Sequence, residues 1–384
     1  MVDLTKCYNI ADLRRAAKSR LPKGLFEFID RATEDEIAVR NNRAAIERIR
    51  IMPRAPLDVS NRSLSTTVFG KEMALPMAIA PTGGAGLMWY KAEKALAAAA
   101  KAAGIPFTMA TGSITSIEEV ARDVGGRLWL QLYVWPDREL TYGVVKRAAA
   151  AGFEALLVTV DTPVSPNREY NVRNGFGLPF VYTPENVLDM ALHPRWLIQT
   201  MLPYFRTTGM PPHANYPDDF NDARTRGRYK DRIHLSDTVD RAEIRRLRDL
   251  WPGKLVVKGV MHPDDAREMV ELGADGILVS NHGGRNFDSA VATFDALPGV
   301  VAAVGDRSTV LVDSGIRRGV DIMKAVALGA QAVLTGRATL FGAAAGGQAG
   351  AARAIELFRH ELSTAMANAG VRTIEEITAD LLRT

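Results

Sequence analysis

One six-residue segment of this 384-residue chain combines an imidazole with a guanidinium, the groups needed for acid–base chemistry beside an anion. It runs from Ser280 to Arg285 and reads Ser-Asn-His-Gly-Gly-Arg. His282 is suited to act as a general base near neutral pH, and Arg285 can bind a carboxylate through two parallel hydrogen bonds. The two glycines leave room for a substrate. Because a lone histidine is more often structural than catalytic, the residues around it decide between the two interpretations.

Polar residues stand at or next to the tips of several short apolar runs earlier in the chain. A glycine-rich turn that begins Pro81-Thr82-Gly83 follows the first run and lets a flat ligand approach the backbone. The next runs carry or precede Thr111, Gln131, Tyr133, Thr159, Asp161 and Lys258. Each has an ordinary structural explanation, such as a capping hydroxyl or a satisfied buried amide. Together they indicate a site in which Asp161 could neighbour His282 and support its imidazole.

Two later turns are suited to a dianion such as a phosphate group. One, at residues 313–319, contains Asp313, Gly315 and Arg317, and the other contains Gly336 and Arg337. Backbone N–H groups at the start of a helix bind such an anion well, and so does a guanidinium fork. The two turns are therefore predicted to form a phosphate site.

The elements that must position these residues are eight apolar runs, most of them continuously apolar, as in strands buried on both faces of a parallel sheet. The predicted strands are Leu75–Ala80, Pro106–Ala110, Leu128–Val134, Ala155–Val160, Leu255–Lys258, Gly276–Ser280, Thr309–Val312 and Ala332–Thr335. Helical segments follow most of them, including Lys91–Ala103, Arg138–Ala151, Pro263–Leu272 and Arg318–Leu328. This α/β alternation predicts a closed TIM (β/α)8 barrel, whose functional site forms at the carboxyl ends of the strands.

Two segments fall outside this alternation, within what we interpret as one domain over residues 1–384. Residues 1–60 are predicted to be a helical segment, with two helices in Ile10–Glu47, the first opened by Asn9. An insertion at roughly Pro163–Asp240 mixes aromatic residues and prolines with the basic run Arg224–Lys230. Loops of this length tend to be functional or mobile. A solvated surface excursion, a lid over the site, and a patch that contacts a membrane or another subunit are all open interpretations.

Composition narrows the classes of function. The hydrophobic content of 47% and the charged content of 24% are those of an ordinary globular protein, and the formal charge of +4 argues against nucleic-acid binding. The single cysteine, Cys7, excludes an internal disulfide and suits a reducing compartment. No signal peptide or spanning segment is evident, so we expect a cytoplasmic protein, with peripheral attachment at the inner face of the membrane left open. No histidine spacing indicates a metal site.

These motifs, in this order, resemble the FMN-dependent L-2-hydroxy-acid dehydrogenases and oxidases, which include glycolate oxidase, flavin lactate dehydrogenase and mandelate dehydrogenase. The resemblance extends from Leu21 to about Asp380 and rests on the turns described above, together with Thr159–Pro163 and Val257-Lys258-Gly259. The turn that begins at Pro81 and the segment Leu192–Trp196 are most similar to the mandelate dehydrogenase branch.

The resemblance implies oxidation of a mandelate- or lactate-like L-2-hydroxy acid to the 2-oxo acid, with FMN as the hydride acceptor. His282 would take the substrate proton, and Asp161 would stabilise the resulting imidazolium. Arg168 and Arg285 would hold the substrate carboxylate, while Tyr133 would form a hydrogen bond near the reacting oxygen.

The resemblance likewise implies a cofactor site and partners. Lys258 would stabilise the reduced flavin as an anion. The implied FMN-binding residues are Pro81, Thr82, Gly83, Ala110, Gln131, Thr159, Lys258, Ser280, Asp313, Gly315, Arg317, Gly336 and Arg337. A quinone or oxygen would accept the electrons, and the chain would form a homo-oligomer, expected to be a tetramer. Membrane-bound relatives contact the bilayer through the insertion, and its aromatic and basic content here permits the same.

Three segments depart from the family pattern. The family places a tyrosine hydroxyl on the substrate carboxylate in a Tyr-Asp-Tyr context, whereas this chain reads Phe26-Glu27-Phe28. Losing one neutral hydrogen bond costs roughly 1 kcal/mol, so Phe28 predicts a weaker grip on simple hydroxy acids or a bulkier, more apolar substrate. Ala110 replaces the usual serine, and 286–288 reads Asn-Phe-Asp in place of Gln-Leu-Asp.

Three rival functions remain at this stage. An FMN-dependent isomerase could share the same barrel plan, and a flavin-free lyase could use Lys258 as a Schiff base. A protein that binds FMN but has an altered substrate class, or no catalytic activity, is the third. Arg168 and Arg285 favour the hydroxy-acid enzyme, because a carboxylate substrate needs such partners.

Overall fold

The computed structural model describes residues 3–176, 181–222 and 224–383. Eight parallel strands close into a barrel in which each strand pairs with its neighbours along the chain and the last pairs with the first. They are β1 (Met77–Ile79), β2 (Phe107–Ala110), β3 (Leu128–Leu132), β4 (Ala155–Thr159), β5 (Lys254–Lys258), β6 (Gly276–Val279), β7 (Thr309–Val312) and β8 (Ala332–Thr335). The predicted TIM (β/α)8 barrel is confirmed, and each predicted strand overlaps an observed one.

Three helices, not two, precede the barrel: α1 (Ile10–Arg20), α2 (Lys23–Asp30) and α3 (Ile37–Arg48). Asn9 caps α1 as predicted, since its side chain accepts a hydrogen bond from the N–H of Asp12 at 2.9 Å. The prediction of two helices was wrong because Pro22 imposes an extended conformation on Leu21 and ends α1. Beyond Arg48 the N-terminal segment is no longer helical and includes the short strand Arg50–Ile51.

The remaining helices surround the barrel. They are α4 (Ala92–Ala103), α5 (Ile117–Asp123), α6 (Arg138–Ala150), α7 (Glu169–Arg173), α8 (Pro184–Ala191), α9 (Pro194–Trp196), α10 (Leu202–Thr207), α11 (Arg241–Leu250), α12 (Pro263–Glu271), α13 (Thr293–Val304), α14 (Gly319–Ala327) and α15 (Arg337–Ala369). Ser116 opens α5 as its N-cap, since its side chain accepts a hydrogen bond from the N–H of Glu119 at 3.1 Å. Helices α7 to α10 belong to the insertion between β4 and β5.

The interior of the barrel is filled by apolar side chains from alternate strand positions. Trp129, Leu157, Val256, Leu278 and Leu311 are buried together in this inner cluster. Because side chains alternate between the two faces of a strand, the residues two positions further along point into the barrel as well. Those residues are Gln131, Thr159, Lys258, Ser280 and Asp313. We call these five residues the polar layer; it lies above the apolar core at the carboxyl ends of the strands.

A hairpin closes the opposite end of the barrel. Its strands, Thr66–Val68 and Lys71–Met73, pair in antiparallel fashion, and Val68 and Met73 join the inner cluster. Phe69, at the turn, packs edge-on against the ring of Trp129 with centroids 5.8 Å apart. The barrel is therefore filled at its amino end.

Candidate active site

A cavity of about 300 Å³ lies at the carboxyl ends of the barrel strands, above the polar layer. Its size falls within the range of small-molecule sites. Residues from the strand ends, from the loops that follow them, from α2 and from the insertion all line it. Within the described ranges, no cluster of histidine, cysteine and carboxylate side chains could hold a metal ion.

His282 lies in the loop after β6, with its backbone in the left-handed region at φ 57°. Non-glycine residues are uncommon in this conformation, and those that adopt it are often found at functional sites. Its N–H donates to Ser280 Oγ at 3.0 Å, and its ring Nδ1 lies 2.9 Å from Asp161 Oδ1. Since an ionised carboxylate can only accept, we assign the Nδ1 proton to this bond. Nε2 then keeps its lone pair and lies 3.3 Å from the Tyr133 hydroxyl, as a general base requires.

Lys258 adds a fixed positive charge next to this pair. Its Nζ lies 3.4 Å from Asp161 Oδ2 and 3.1 Å from Ser280 Oγ. Gly259 permits this approach, because a Cβ at that position would lie 2.5 Å from the Cβ of Asp161. Burial alone would lower the pKa of Lys258, but Asp161 and Asp313 outweigh it and raise the pKa above its usual value. The ammonium group therefore stays charged inside the protein.

The same charges set the protonation of the histidine and its partner. Burial alone would raise the pKa of Asp161, but Lys258 and His282 hold the pKa of this carboxyl well below its ordinary range. Burial, and after it Lys258, lower the pKa of His282 below its ordinary value of 6.5, although Asp161 opposes them. At neutral pH the imidazole is consequently neutral and can accept a proton.

Two guanidinium groups face the cavity from different parts of the chain. Arg285, in the loop after β6, donates to the carbonyl oxygen of Arg31 at 2.7 Å. Arg168, at the start of the insertion, donates to the carbonyl oxygen of Arg285 and to Asn286 Oδ1, both at 3.2 Å. Burial, and then Arg285, lower the pKa of Arg168 to about 10, so it remains charged at neutral pH. Neither arginine forms an ion pair with a carboxylate in the described ranges, which suits an anionic ligand.

A second pair of arginines stands in the loops after β7 and β8. Burial, and after it neighbouring arginines, lower the pKa of Arg317 to about 10 and that of Arg337 to about 9. Arg337 donates to the carbonyl oxygens of Gly283 and Arg31, but its buried Nε has no partner among the described residues, and neither has the hydroxyl of Thr335. Buried donors without acceptors are costly, so an anion is expected here.

Comparison with known proteins identifies the family of this chain. The model of the FMN-dependent dehydrogenases matches residues 17–384. The chain belongs to the FMN-dependent dehydrogenase family. It is 41% identical to the (S)-mandelate dehydrogenase of Pseudomonas putida, over 98% of this chain and 94% of that protein. It is 40% identical to the L-lactate oxidase of Nostoc sp. over the whole length of both.

A solved structure supports the same assignment. The crystal structure of the monotopic membrane protein (S)-mandelate dehydrogenase is similar to this chain with a TM-score of 0.92 and 40% identity, over 98% of this chain and 99% of that one. The resemblance inferred from the motifs is confirmed. FMN as the cofactor of the family is confirmed with it.

The cavity fits the FMN of an FMN-dependent dehydrogenase. The unpartnered Nε of Arg337 and hydroxyl of Thr335 lie where the phosphate was predicted, between the loops after β7 and β8. The phosphate would also compensate the charge of Arg317. The charged Lys258 lies in the polar layer, and the glycine turn at 81–83 lines the same cavity and lets a flat ring approach its backbone.

Most residues predicted for the site line this one cavity. They are Phe28, Pro81, Thr82, Gly83, Ala110, Gln131, Tyr133, Arg168, Lys258, His282, Arg285, Asp313, Gly315, Arg317, Gly336 and Arg337. Asp161, Thr159 and Ser280 lie behind its wall. Thr159 accepts a hydrogen bond from the Gln131 amide at 3.0 Å, while Ser280 binds Lys258 and the backbone of His282. The structure thus places Thr159 and Ser280 as supports of lining residues.

Several residues that line the cavity were not predicted as part of the site. They are Ile29, Gly112, Tyr216, Ser314, Ile316, Leu334, Thr335 and Leu340. Ser314 accepts from the N–H of Gly283 at 2.9 Å and donates to Asp313 at 2.7 Å, so it joins the loops after β6 and β7. Its place directly after Asp313 was a usable signal. Tyr216 lies deep in the insertion, where no periodic pattern could have placed it.

The predicted substrate-side position is occupied by an aromatic ring without a hydroxyl. The Phe28 ring packs against Phe176 with centroids 4.7 Å apart. The guanidinium carbon of Arg285 lies 5.5 Å from the centre of the same ring, a cation–π distance. Phe28 therefore orients Arg285, but it cannot itself donate a hydrogen bond to a ligand.

Proposed function

We propose that this protein oxidises an L-2-hydroxy acid to the corresponding 2-oxo acid with FMN as its cofactor. The observation that carries the proposal is the placement of a neutral, Asp161-supported His282 beside two arginines that have no carboxylate partner among the described residues. A 2-hydroxy acid offers both groups that such a site needs, a proton to remove and a carboxylate to bind. The similar proteins that oxidise mandelate or lactate belong to this class.

The chain's own residues would divide the chemistry as follows. Arg168 and Arg285 hold the carboxylate and so bring carbon 2 next to Nε2 of His282, which takes the proton. Asp161 stabilises the imidazolium that results. The Tyr133 hydroxyl, 3.3 Å from Nε2, contacts the substrate oxygen. FMN, when bound, would accept the two electrons together with the second hydrogen that the oxidation removes from the substrate.

A second group of residues would hold the cofactor. Lys258 stabilises negative charge on the ring system, because a buried ammonium is most effective where water is excluded. Gln131 and the turn at 81–83 contact the ring system, with Ala110 beside them and with Thr159 and Ser280 in support. The remaining contacts, to the ribityl chain and phosphate, fall to Asp313, Gly315, Arg317, Gly336 and Arg337.

Anaerobic bleaching of the flavin tests this function. The holoenzyme is mixed with (S)-mandelate, (S)-lactate and glycolate, and the flavin absorbance is followed before air or a quinone is admitted. Loss of the absorbance with at least one acid supports the proposal, and the reagent that restores it identifies the electron acceptor. A flavin that no hydroxy acid bleaches would overturn the proposal.

The isomerase alternative finds no support in the family or in its named relatives.

We also propose that the insertion attaches the protein to a membrane surface. Large apolar side chains are exposed there: Val164, Val172, Val181, Val187, Leu188, Leu192, Ile198, Phe205 and Met210. Exposed apolar residues in such number favour contact with a partner or a lipid surface. The (S)-mandelate dehydrogenase of similar structure is described as monotopic. Across the described ranges no helix is long and apolar enough to cross a membrane.

Sedimentation with anionic liposomes at low salt tests the attachment. The wild-type protein is expected to pellet with the vesicles. A double variant, Leu188→Asp with Leu192→Asp, places one charge on α8 and one at its C-cap, one turn apart, and is expected to stay in the supernatant. Leu57→Asp is the matched control, since Leu57 is equally apolar and exposed but lies outside the insertion. Wild-type protein found wholly in the supernatant would exclude the proposal.

A further inference from the structure

The turn that carries His282 is held in an uncommon backbone conformation. His282, Gly283 and Gly284 all have positive φ, at 57°, 68° and 71°. Glycine adopts this left-handed region readily, but a residue with a Cβ remains there only where its surroundings hold it. The position of the His282 imidazole therefore depends on the contacts that fix this turn.

Asn281, which directly precedes His282, closes the turn with its side chain. Its Oδ1 accepts a hydrogen bond from the N–H of Gly284 at 3.2 Å, across the left-handed residues. Its Nδ2 donates to the carbonyl oxygen of Val291 at 3.1 Å, further along the same loop. The amide group must keep one orientation to form both bonds, since only its nitrogen can donate.

The orientation of that amide is set from outside the barrel, by Asn42 of α3. Asn42 Nδ2 donates to Asn281 Oδ1 at 2.9 Å, and Asn281 Nδ2 donates to Asn42 Oδ1 at 2.8 Å, so the two amides form a reciprocal pair. Asn42 Oδ1 also accepts from the N–H of Thr293, the first residue of α13, at 3.3 Å. Because Asn42 is only 1% exposed, loss of its amide would leave buried polar groups without a partner.

The N-terminal segment also meets the backbone of the same turn. A Cβ added at Gly284 would lie 2.6 Å from the backbone nitrogen of Val39 on α3, so the helix and the turn are in close contact. The N–H of Thr33, just before α3, donates to the carbonyl oxygen of Gly284 at 3.2 Å. The reciprocal amide pair is thus part of an extended contact between α3 and the turn.

We propose that Asn42 is a positioning residue for the reaction: through Asn281 it keeps His282 in the left-handed conformation that places Nε2 beside the Tyr133 hydroxyl. The inference rests on the proposed function, since it adds a residue to the same site. A small displacement of a base from its substrate lowers the rate of proton transfer strongly. Loss of the amide pair is therefore expected to slow the step that reduces the flavin.

A substitution of Asn42 and a matched control test the proposal in the holoenzyme. Asn42→Leu keeps about the same side-chain length but removes the amide; Asn42→Ser, which is too short to form the reciprocal pair, takes its place if Asn42→Leu does not fold. Lys324→Met is the control, because the buried Lys324 donates to the carbonyl oxygen of Ile46 on the same helix, at 2.9 Å.

Two measurements are made on each variant. The first is the anaerobic rate of flavin reduction by the hydroxy acid that bleaches the wild-type flavin fastest, at saturation. The second is hydrogen exchange, by mass spectrometry, of peptides that cover residues 282–285. Asn42→Leu is also combined with His282→Gln, and the reduction rate of the double variant is compared with that of His282→Gln alone.

We expect Asn42→Leu to lower the rate of flavin reduction by about tenfold or more and to speed exchange at 282–285. Lys324→Met should change neither. In the His282→Gln background Asn42→Leu should cause no further loss, because the side chain that Asn42 positions is absent. A general loosening of the protein would instead lower the rate in both backgrounds.

A wild-type rate of flavin reduction in Asn42→Leu would overturn the proposal. An equal loss in Lys324→Met, or an equal further loss in the His282→Gln background, would overturn it as well, since Asn42 would then act on the fold at large. If no hydroxy acid bleaches the wild-type flavin, the proposed function fails. Hydrogen exchange still decides on Asn42 in that case, and unchanged exchange at 282–285 would show that Asn42 does not hold the turn.

Discussion

The polar layer and the insertion contribute to the same cavity in opposite ways. The polar layer consists of five side chains on five consecutive strands, each two positions beyond an apolar residue of the barrel interior. The insertion contributes Arg168 at its start and Tyr216 some fifty residues later, with short helices between them. One contribution follows from the period of a strand, and the other depends on a few contacts between loops.

This difference in how the two regions are held predicts how each responds to substitutions. A strand residue is fixed by backbone pairing on both sides, so its side chain can be altered without moving the backbone that carries it. The segment at 213–216 is held by hydrogen bonds to one loop, mainly through Asn215. Substitutions on the strand ends are therefore expected to leave the backbone in place, while substitutions that break the contacts of the segment at 213–216 are expected to move it.

The largest effect is expected from the base itself. His282→Gln removes the proton acceptor beside the polar layer and should lower kcat by about 10²–10⁴-fold, while FMN stays bound. The flavin absorbance of the purified variant and its anaerobic bleaching rate provide the measurement. His262→Gln is the control, because His262 is an exposed cap of α12. If the His282→Gln variant kept more than a tenth of the wild-type kcat, His282 would not be the base.

Substitutions of the two arginines compare a loop at a strand end with the insertion directly. Arg285 follows β6, Arg168 begins the insertion, and each provides a charged hydrogen-bond donor worth about 1.5–3 kcal/mol. Arg285→Met and Arg168→Met should each weaken the binding of a 2-oxo acid by about tenfold or more, since a tenfold change in Kd is 1.4 kcal/mol. Arg173→Met alters an exposed position of the same insertion and should leave the Kd of the 2-oxo acid unchanged. A large effect from Arg285 alone would show that the insertion does not hold the carboxylate.

How far the site could be predicted from the sequence differs between the strand ends and the insertion. Gln131, Lys258 and Asp313 could be placed from the sequence because an apolar strand and its period fix where its tip points. Tyr216 could not be placed, since its position depends on Ala214 and Asn215 meeting a loop a hundred residues earlier. The third N-terminal helix was missed for a local reason, the break at Pro22. Thr159 and Ser280, which are predicted to contact FMN, form hydrogen bonds with Gln131 and Lys258, and the sequence could not show these partners because it indicates which face a residue occupies but not which neighbour uses its hydroxyl.

A smaller effect is expected where the N-terminal segment meets the arginines. Phe28→Tyr restores a hydroxyl beside Arg285, and one neutral hydrogen bond contributes about 1 kcal/mol. KM for lactate and glycolate should fall by about fivefold, with kcat little changed. Phe26→Tyr is the control, because Phe26 lies two positions away, buried against Phe341. An unchanged KM for every small hydroxy acid would show that the missing hydroxyl does not weaken substrate binding.

The finest test concerns the pH at which activity begins, which depends on the polar layer and not on the insertion. Because burial and Lys258 lower the pKa of His282 below 6.5, the imidazole is neutral at pH 7, and kcat/KM should fall only as the pH drops through a pKa below 6.5. Lys258→Gln removes a positive charge that lowers this pKa, so the acid limb should move to higher pH, whatever the plateau. Asp161→Asn removes a negative charge that raises it, so the limb should move to lower pH. Limbs that moved in the same direction in both variants would mean that the profile reports another group. Tyr216→Phe should leave the limb in place, because no charge near His282 changes.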